Sequence, residues 1–188
     1  MKTRIFGMAS VLLLSGSVLF AQKVEVNTEQ SSVKWFGKKI GGKHNGSIQL
    51  SSGYLELENE RIVSGSFVVD MTSITNSDLK DDSNQKLVGH LKSDDFFGVE
   101  KYPTATFDLK QSTKFTNGKA TVSGEITIKG NKENISFEVE RSGKEYSTTV
   151  DIDRSKFDVR FGSNKFFNNL GDRAIDDIFT LDITIVVN

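Results

Sequence analysis

The chain has 188 residues, with 24 Lys and Arg against 25 Asp and Glu for a net charge of −1, no cysteine and a single proline. That charge balance gives no electrostatic reason to expect a nucleic-acid partner. The lack of cysteine excludes disulfides, thiolate metal sites and a cysteine nucleophile together, so packing and hydrogen bonds must hold whatever fold forms.

Lys2 and Arg4 precede apolar runs at Val11–Leu14 and Val18–Phe20 that end on the small residue Ala21. This is the pattern of a secretory signal peptide over residues 1–21. Gly7, Ser10, Ser15 and Ser17 interrupt it, so it falls short of the ~20 apolar residues of a stable membrane span. Cleavage after Ala21 leaves 22 basic against 25 acidic residues and one domain, residues 22–188. An exported chain without cysteine is expected in a bacterial periplasm or secreted.

Beyond that point apolar and polar residues alternate through most of the chain, the period-two signature of half-buried strands. It shows at Val24–Val26, at Val33 and Trp35, at Ile48 and Leu50, and at Leu55 and Leu57 after a turn predicted at Ser51–Gly53. Val63, Gly65, Phe67, Val69 and Met71 share one face of a longer strand. The pattern then stops for roughly thirty residues, far more than the ~2–5 of a hairpin loop. One helix is predicted there, near Asp82–Leu91, ahead of the segment HLKSDDFFGVEKYPTATF from His90 to Phe107. Its Pro103 has no N–H for a ladder and suits the start of a strand, Thr104–Leu109.

Asn117-Gly118 is a tight-turn pair tolerant of positive φ. Val122, Gly124, Ile126 and Ile128 share the next face, and Ile135, Phe137 and Val139 the one after the Gly130–Lys132 turn; Ser142–Lys144 reverses the chain again. Val150 and Ile152 occupy even positions but Phe157, Val159 and Phe161 odd ones, which predicts a β-bulge near Arg154 in one strand, Glu145–Phe161. Phe179 to Val187 alternates without a break.

Eight to ten antiparallel strands joined mainly by tight turns fit an up-and-down barrel or a sandwich. The barrel is preferred, because the long last strand can pair with the first and leave no edge. The predicted fold is all-β: a barrel of about eight strands, one short helix and two long lid loops, Thr75–Pro103 and Gly162–Asp177. In a meander the connections alternate between ends, and the strand count puts both long loops at one end and Lys38–Lys43 at the other.

The segments Val33-Lys34-Trp35, Gly65-Ser66-Phe67, HLKSDDFFGVEKYPTATF, Gly124-Glu125-Ile126-Thr127-Ile128-Lys129-Gly130 and Asp153-Arg154-Ser155-Lys156-Phe157 resemble the YceI-like family, over essentially all of the mature chain. The resemblance implies an exported, lipocalin-like barrel that carries a polyisoprenoid lipid.

Few residues offer chemistry. His44 and His90 are the only histidines and neither has metal-ligand spacing, so no metal, cofactor or catalytic group is expected. His90 is expected to cap the helix C-terminus, and Ser93-Asp94-Asp95 to start a helical turn. Lys38–His44 reads as a solvated hairpin in preference to a basic mouth for a headgroup, and Asp176-Asp177 as a polar loop. The aromatic supply is larger: 14 phenylalanines, of which only Phe6 and Phe20 lie in the leader. Trp35, Phe67, Phe107, Ile126, Phe137, Val139 and Phe157 lie on the apolar parity of their strands and are expected to line the interior, with Phe161 on the face of Phe157. Phe96-Phe97 and Phe166-Phe167 are expected to roof it from the two long loops. Arg154, in register with Val150 and Ile152, is expected to be buried against a carboxylate or carbonyls, as a structural pair or at the cavity.

The leading expectation is a non-enzymatic binder of a long apolar lipid, an isoprenoid by resemblance. An enzyme acting on a lipid-like substrate and a ligand-free envelope stress protein with a packed interior are the alternatives.

Overall fold

The structure is a computed structural model and describes residues 21–188. The predicted signal peptide, apart from Ala21, lies outside the described residues. Nine strands and one helix are formed: β1 (Gln22–Glu25), β2 (Ser32–Lys39), β3 (Gly42–Glu58), β4 (Arg61–Asp70), α1 (Asp81–Lys92), β5 (Thr104–Ser112), β6 (Lys119–Ile128), β7 (Asn131–Ser142), β8 (Glu145–Asp153) and β9 (Ile175–Val186). Strands β2 to β9 pair in sequence order, and β9 returns to β2 from Ser32↔Thr184 to Lys39↔Ile175, closing an eight-stranded antiparallel barrel. β1 and β2 are one stave in two pieces, both beside β3. The break between them is pinned where Val186 N–H donates to Ser31 Oγ (3.0 Å) and Asn27 N–H to Val186 O (2.7 Å).

Turn chemistry follows the sequence. Asn117 and Gly118 both have positive φ, and β5 begins immediately after Pro103. Ser51–Gly53, however, is not a turn. β3 runs through it as a single strand of 17 residues, with a register slip between Leu50 and Ser52. Gly53 is small because Phe67 and Val26 pack against it, with an added Cβ 3.0–3.1 Å from them. The strand count before the first long loop therefore drops by one, and the parity of every later connection changes together. The two long connections still share an end, as expected, but the Lys38–Lys43 hairpin, expected opposite, joins them there. A second slip, from Leu57↔Ile62 to Glu56↔Ser64, turns Ile62 inward in place of Val63.

The first long connection starts as an extra rung on β3. Beyond the reach of β4, Thr75 N–H donates to Ser47 O and Ser77 N–H to Asn45 O, both 2.9 Å. Trp35 Nε1–H donates to Thr75 O across Gly46 (2.9 Å). A Cβ on Gly46 would lie 1.9 Å from that oxygen, so only glycine allows the crossing. Asp78 fastens the segment, accepting from Asn45 N–H (2.9 Å), from Asn76 Nδ2–H (2.6 Å) and, at 2.8 Å, pairing with His44. α1 follows, with Asp81 and Asp82 in its first turn, where the helix dipole favours carboxylates. Its C-terminus is closed by Ser93, whose N–H reaches Gly89 O and His90 O and whose Oγ–H reaches His90 O (2.7 Å); the His90 ring, expected as the cap, turns inward instead.

The second connection corrects the predicted bulge. β8 ends at Asp153, and the chain leaves the sheet in a 3₁₀ turn, Arg154–Phe157, followed by Asp158 at φ 59°. The change of parity marks the end of the strand. Arg154 is 2% exposed, and its guanidinium donates to four carbonyls: Nε to Asp176 (2.9 Å), Nη1 to Val159 (2.8 Å) and Phe161 (2.9 Å), and Nη2 to Ile175 (3.1 Å). Asp177 Oδ1 stands 3.4 Å from Nη2, an ion pair too long for a good hydrogen bond. Burial lowers the guanidinium pKa, and the carboxylates of Asp177, Asp176 and Asp153 oppose the shift.

One seam of the barrel is thin. β7 and β8 pair only from Glu140↔Ser147 to Ser142↔Glu145, whereas β6 and β7 pair over the full length of β6, Lys119 to Ile128. Past the short ladder, Thr148 Oγ1–H bonds Glu138 O (2.6 Å), and at the lid end Asn131 Nδ2–H bonds Phe157 O (3.1 Å).

Three outcomes follow from these joints. Gly46→Ala should destabilise the barrel by about 2–3 kcal/mol and change the emission of Trp35, the single tryptophan, in a denaturation series. Desolvation would raise the pKa of Asp78, but its bonds from Asn45, His44 and Asn76 outweigh this and lower it from 3.8 to about 2. The depressed value adds stability above the unfolded pKa that is lost as pH falls through about 2. Wild type should exceed Asp78→Asn by roughly 2 kcal/mol at neutral pH, with the gap closing between about pH 4 and 2 in midpoints measured against pH. Arg154→Met should destabilise the barrel by roughly 3–5 kcal/mol, seen as a lowered denaturation midpoint, and Arg154→Ala by more, because it adds a void to four unpaired carbonyls.

Candidate ligand-binding site

The inward faces of the strands enclose a cavity of about 420 Å³ with walls from both halves of the barrel. Two core clusters bracket it. One, at the lid end, includes Val33, Trp35, Ile74, Leu91, Phe96, Val150 and Phe157. The other, at the far end, includes Leu55, Ile62, Leu109, Val122 and Ile185.

Between them runs a belt of aromatic rings. Phe67 on β4 stacks on Phe107 of β5 with centroids 6.3 Å apart, and Phe107 meets Phe137 of β7 at 5.5 Å. That second contact spans β6, and Gly124 makes it possible: a Cβ there would lie 2.7 Å from Phe107 Cζ. The glycine in the Val122–Ile128 face thus exists for the ring that crosses it. From the lid, Phe97 meets Phe96 edge-on at 5.0 Å and Phe179 of β9 at 6.4 Å.

Of the residues expected at the interior, Trp35, Phe67, Phe96, Phe97, Phe107, Ile126, Phe137, Val139 and Arg154 all border the cavity. Phe157 does not. It is fully buried in the lid-end core, beneath the 3₁₀ turn and off the cavity wall. Phe161, Phe166 and Phe167 are 44%, 41% and 48% exposed and do not border the cavity, although Phe161 packs edge-on against His90 of its wall. Arg154 draws the start of the loop in through the carbonyls of Val159 and Phe161, and the N–H groups of Phe166 and Phe167 turn back on Ser163 O, which leaves those two rings outside. Phe179, Leu181, Ile183 and Ile185 of β9 complete the wall, as the unbroken alternation of that strand implied. Leu87, His90 and Leu91 of α1 join them; their i, i+3, i+4 spacing was the available signal.

Polar atoms on the wall are few and lie towards its ends. His90 Nε2 is buried without a hydrogen-bond partner, its ring edge-on to Phe161 at 4.4 Å. At the far end the Tyr146 hydroxyl is likewise buried and unpartnered, and burial raises its pKa. Lys38, Lys39, His44 and Asp176 stand at the lid-end margin. There a second hollow of about 400 Å³ adjoins, bordered also by Ile40, Asn164 and Asp177. A wall of this kind offers dispersion contact and dry apolar area, with a hydrogen-bonding atom near each end of the run.

A sequence model of the YceI-like domain matches residues 24–187. The fold is shared with the crystal structure of Burkholderia cenocepacia BcnA, at 22% identity and a TM-score of 0.70, covering 87% of this chain and 99% of that one. It is shared with a polyisoprenoid binding domain from Saccharophagus degradans, at 13% identity and a TM-score of 0.60, covering 88% and 97%. A Campylobacter jejuni YCEI protein aligns at 20% identity and a TM-score of 0.54, covering 99% and 93%. No curated protein matches the chain. The match to the domain runs from β1 to the end of the barrel, and the chain belongs to the YceI-like family.

Proposed function

We propose that this protein binds a long apolar lipid of polyisoprenoid type inside its barrel, without catalysing a reaction on it, and does so outside the cytoplasm. The observation that carries the reading is the cavity itself: about 420 Å³, walled by aliphatic and aromatic side chains along the barrel. That volume falls within the ~300–1,000 Å³ usual for sites that enclose small molecules. Burial of apolar area at about 25 cal/mol per Å² supplies affinity without a charged pocket, and a slender chain suits the bore of an eight-stranded barrel. The Saccharophagus degradans domain of the same fold is described as polyisoprenoid binding, which favours an isoprenoid over other apolar chains. The basic-then-apolar segment from Lys2 to Ala21 supports export.

Trp35 is on the cavity wall and is the single tryptophan, so it reports occupancy directly. Titration with a long-chain polyprenol should change its emission to saturation, and native mass spectrometry of protein purified from its own host should show a co-purified prenyl lipid. Ala105 also lines the cavity, and Ala105→Phe fills bore without removing any contact. This variant should bind the polyprenol about tenfold more weakly with an unchanged or raised melting temperature. No emission change, together with no lipid in the native spectrum, would overturn the reading; an altered lipid would point to an enzyme.

A further inference from the structure

Among the described residues, six large hydrophobic side chains are exposed, and all belong to the lid end and the wall beside it: Phe36, Ile40, Phe161, Phe166, Phe167 and Ile178. Phe36 and Ile178 lie on the outer faces of β2 and β9, neighbouring strands in the closure ladder, where Gly37 pairs with Phe179. Ile40 tips the adjoining hairpin, its N–H on Ala174 O (3.2 Å) at the close of the second long connection. That connection carries the other three rings. Ile40 and Asn164 border one hollow, so hairpin and loop are side by side.

The segments bearing these side chains are also the basic part of the molecule. Residues 36–43 contain Lys38, Lys39 and Lys43 and no carboxylate, and residues 154–174 contain five basic residues against Asp158 and Asp172. The first segment is thus +3, and the second, with Arg154 buried, presents four cations against two carboxylates, a net +2, in a chain that is −1 overall. Three of these cations are paired, Arg160 with Asp158, Lys165 with Asp153 and Lys156 with Glu133, and Asp176 Oδ1 accepts the N–H of Ile178, so the uncompensated positive charge at the surface rests on Lys38, Lys39, Lys43 and Arg173. Arg160 lies over the Phe166 ring at 5.0 Å, so cation and ring present themselves together.

We infer that this end docks on the surface of an anionic bilayer, with Phe166, Phe167 and Ile40 in the headgroup region and the lysines and arginines against the lipid phosphates. Exposed aromatic and aliphatic groups flanked by Lys and Arg are the combination that seats a protein in a membrane interface, and each basic residue near an anionic surface adds electrostatic attraction that falls off within a Debye length. The surface lies at the cavity's lid-end margin, where Lys38, Lys39 and Asp176 border both the cavity and the outer hollow. This surface is the same whatever the cavity holds; only its purpose, to collect or deliver cargo at a membrane, rests on the lipid-carrier reading.

Flotation with phosphatidylcholine vesicles containing about 30% phosphatidylglycerol tests this. The protein should float with them, and binding should fall about tenfold on pure phosphatidylcholine or in about 0.5 M NaCl. The double variant Phe166→Ser/Phe167→Ser should lose about tenfold in partition with an unchanged melting temperature, and Lys38→Ser/Lys39→Ser should lose most of the dependence on anionic lipid. Wild type left in the soluble fraction, or vesicle binding unaffected by either double variant, would overturn the inference. So would a dimer in sedimentation that the phenylalanine variant dissolves, since the patch would then belong to a second copy. Polyprenol titration of the same protein keeps the two readings apart: cargo bound without docking rejects only the membrane surface, and docking without cargo rejects only the carrier.

Discussion

A barrel whose middle is a cavity must be closed at its ends by something other than a continuous core, and at the lid end that closure depends on Arg154. A buried guanidinium is destabilising by several kcal/mol unless its protons are matched. Four carbonyls of an irregular loop are equally in need of donors, because their chain has left the sheet. Each problem solves the other. The 21 positions between Asp153 and Ile175 fold back on one side chain, and the face of that side chain receives Phe96 at 5.4 Å from the first long connection. Two loops distant in sequence thus meet on a single cation.

The bore in turn is set by the alternation of glycine and phenylalanine across the staves. Gly124 gives Phe107 room to lie over β6, and Gly53 gives Phe67 and Val26 room against β3. The rings so placed narrow the interior to a channel without filling it, since aromatic side chains leave gaps where their planes tilt, here by 25° and 43°. Packing at both ends and incomplete packing between them is a property of where the glycines fall.

Most of this was legible as periodicity. Strand parity identified Trp35, Phe67, Phe107, Ile126, Phe137 and Val139 as inward, and a period of two needs no knowledge of partners to be read. What parity cannot read is a change of context. Ser51-Ser52-Gly53 has the composition of a turn, but the same residues serve as a bulge when a strand continues beyond its first partner. Phe157 kept an apolar face after Arg154 because a 3₁₀ turn, like a strand, can send a side chain inward. Phe161, Phe166 and Phe167 were legible as hydrophobic and not as exposed, since exposure is decided by where the loop's backbone is tied, and those ties are made by Arg154 and by the carbonyl of Ser163.

The short ladder between β7 and β8 gives the barrel an unusual mechanical character. In a fully laddered barrel every increase in girth must break backbone hydrogen bonds, so the wall behaves as an inextensible hoop. Here the circumference includes one stretch, from Asn131 to Val139 on one side and from Thr148 to Asp153 on the other, where no ladder bond spans the gap and only side-chain clasps sit at its two ends. Girth can change at that seam while every other stave keeps its register, which makes the bore an elastic quantity and not a fixed one.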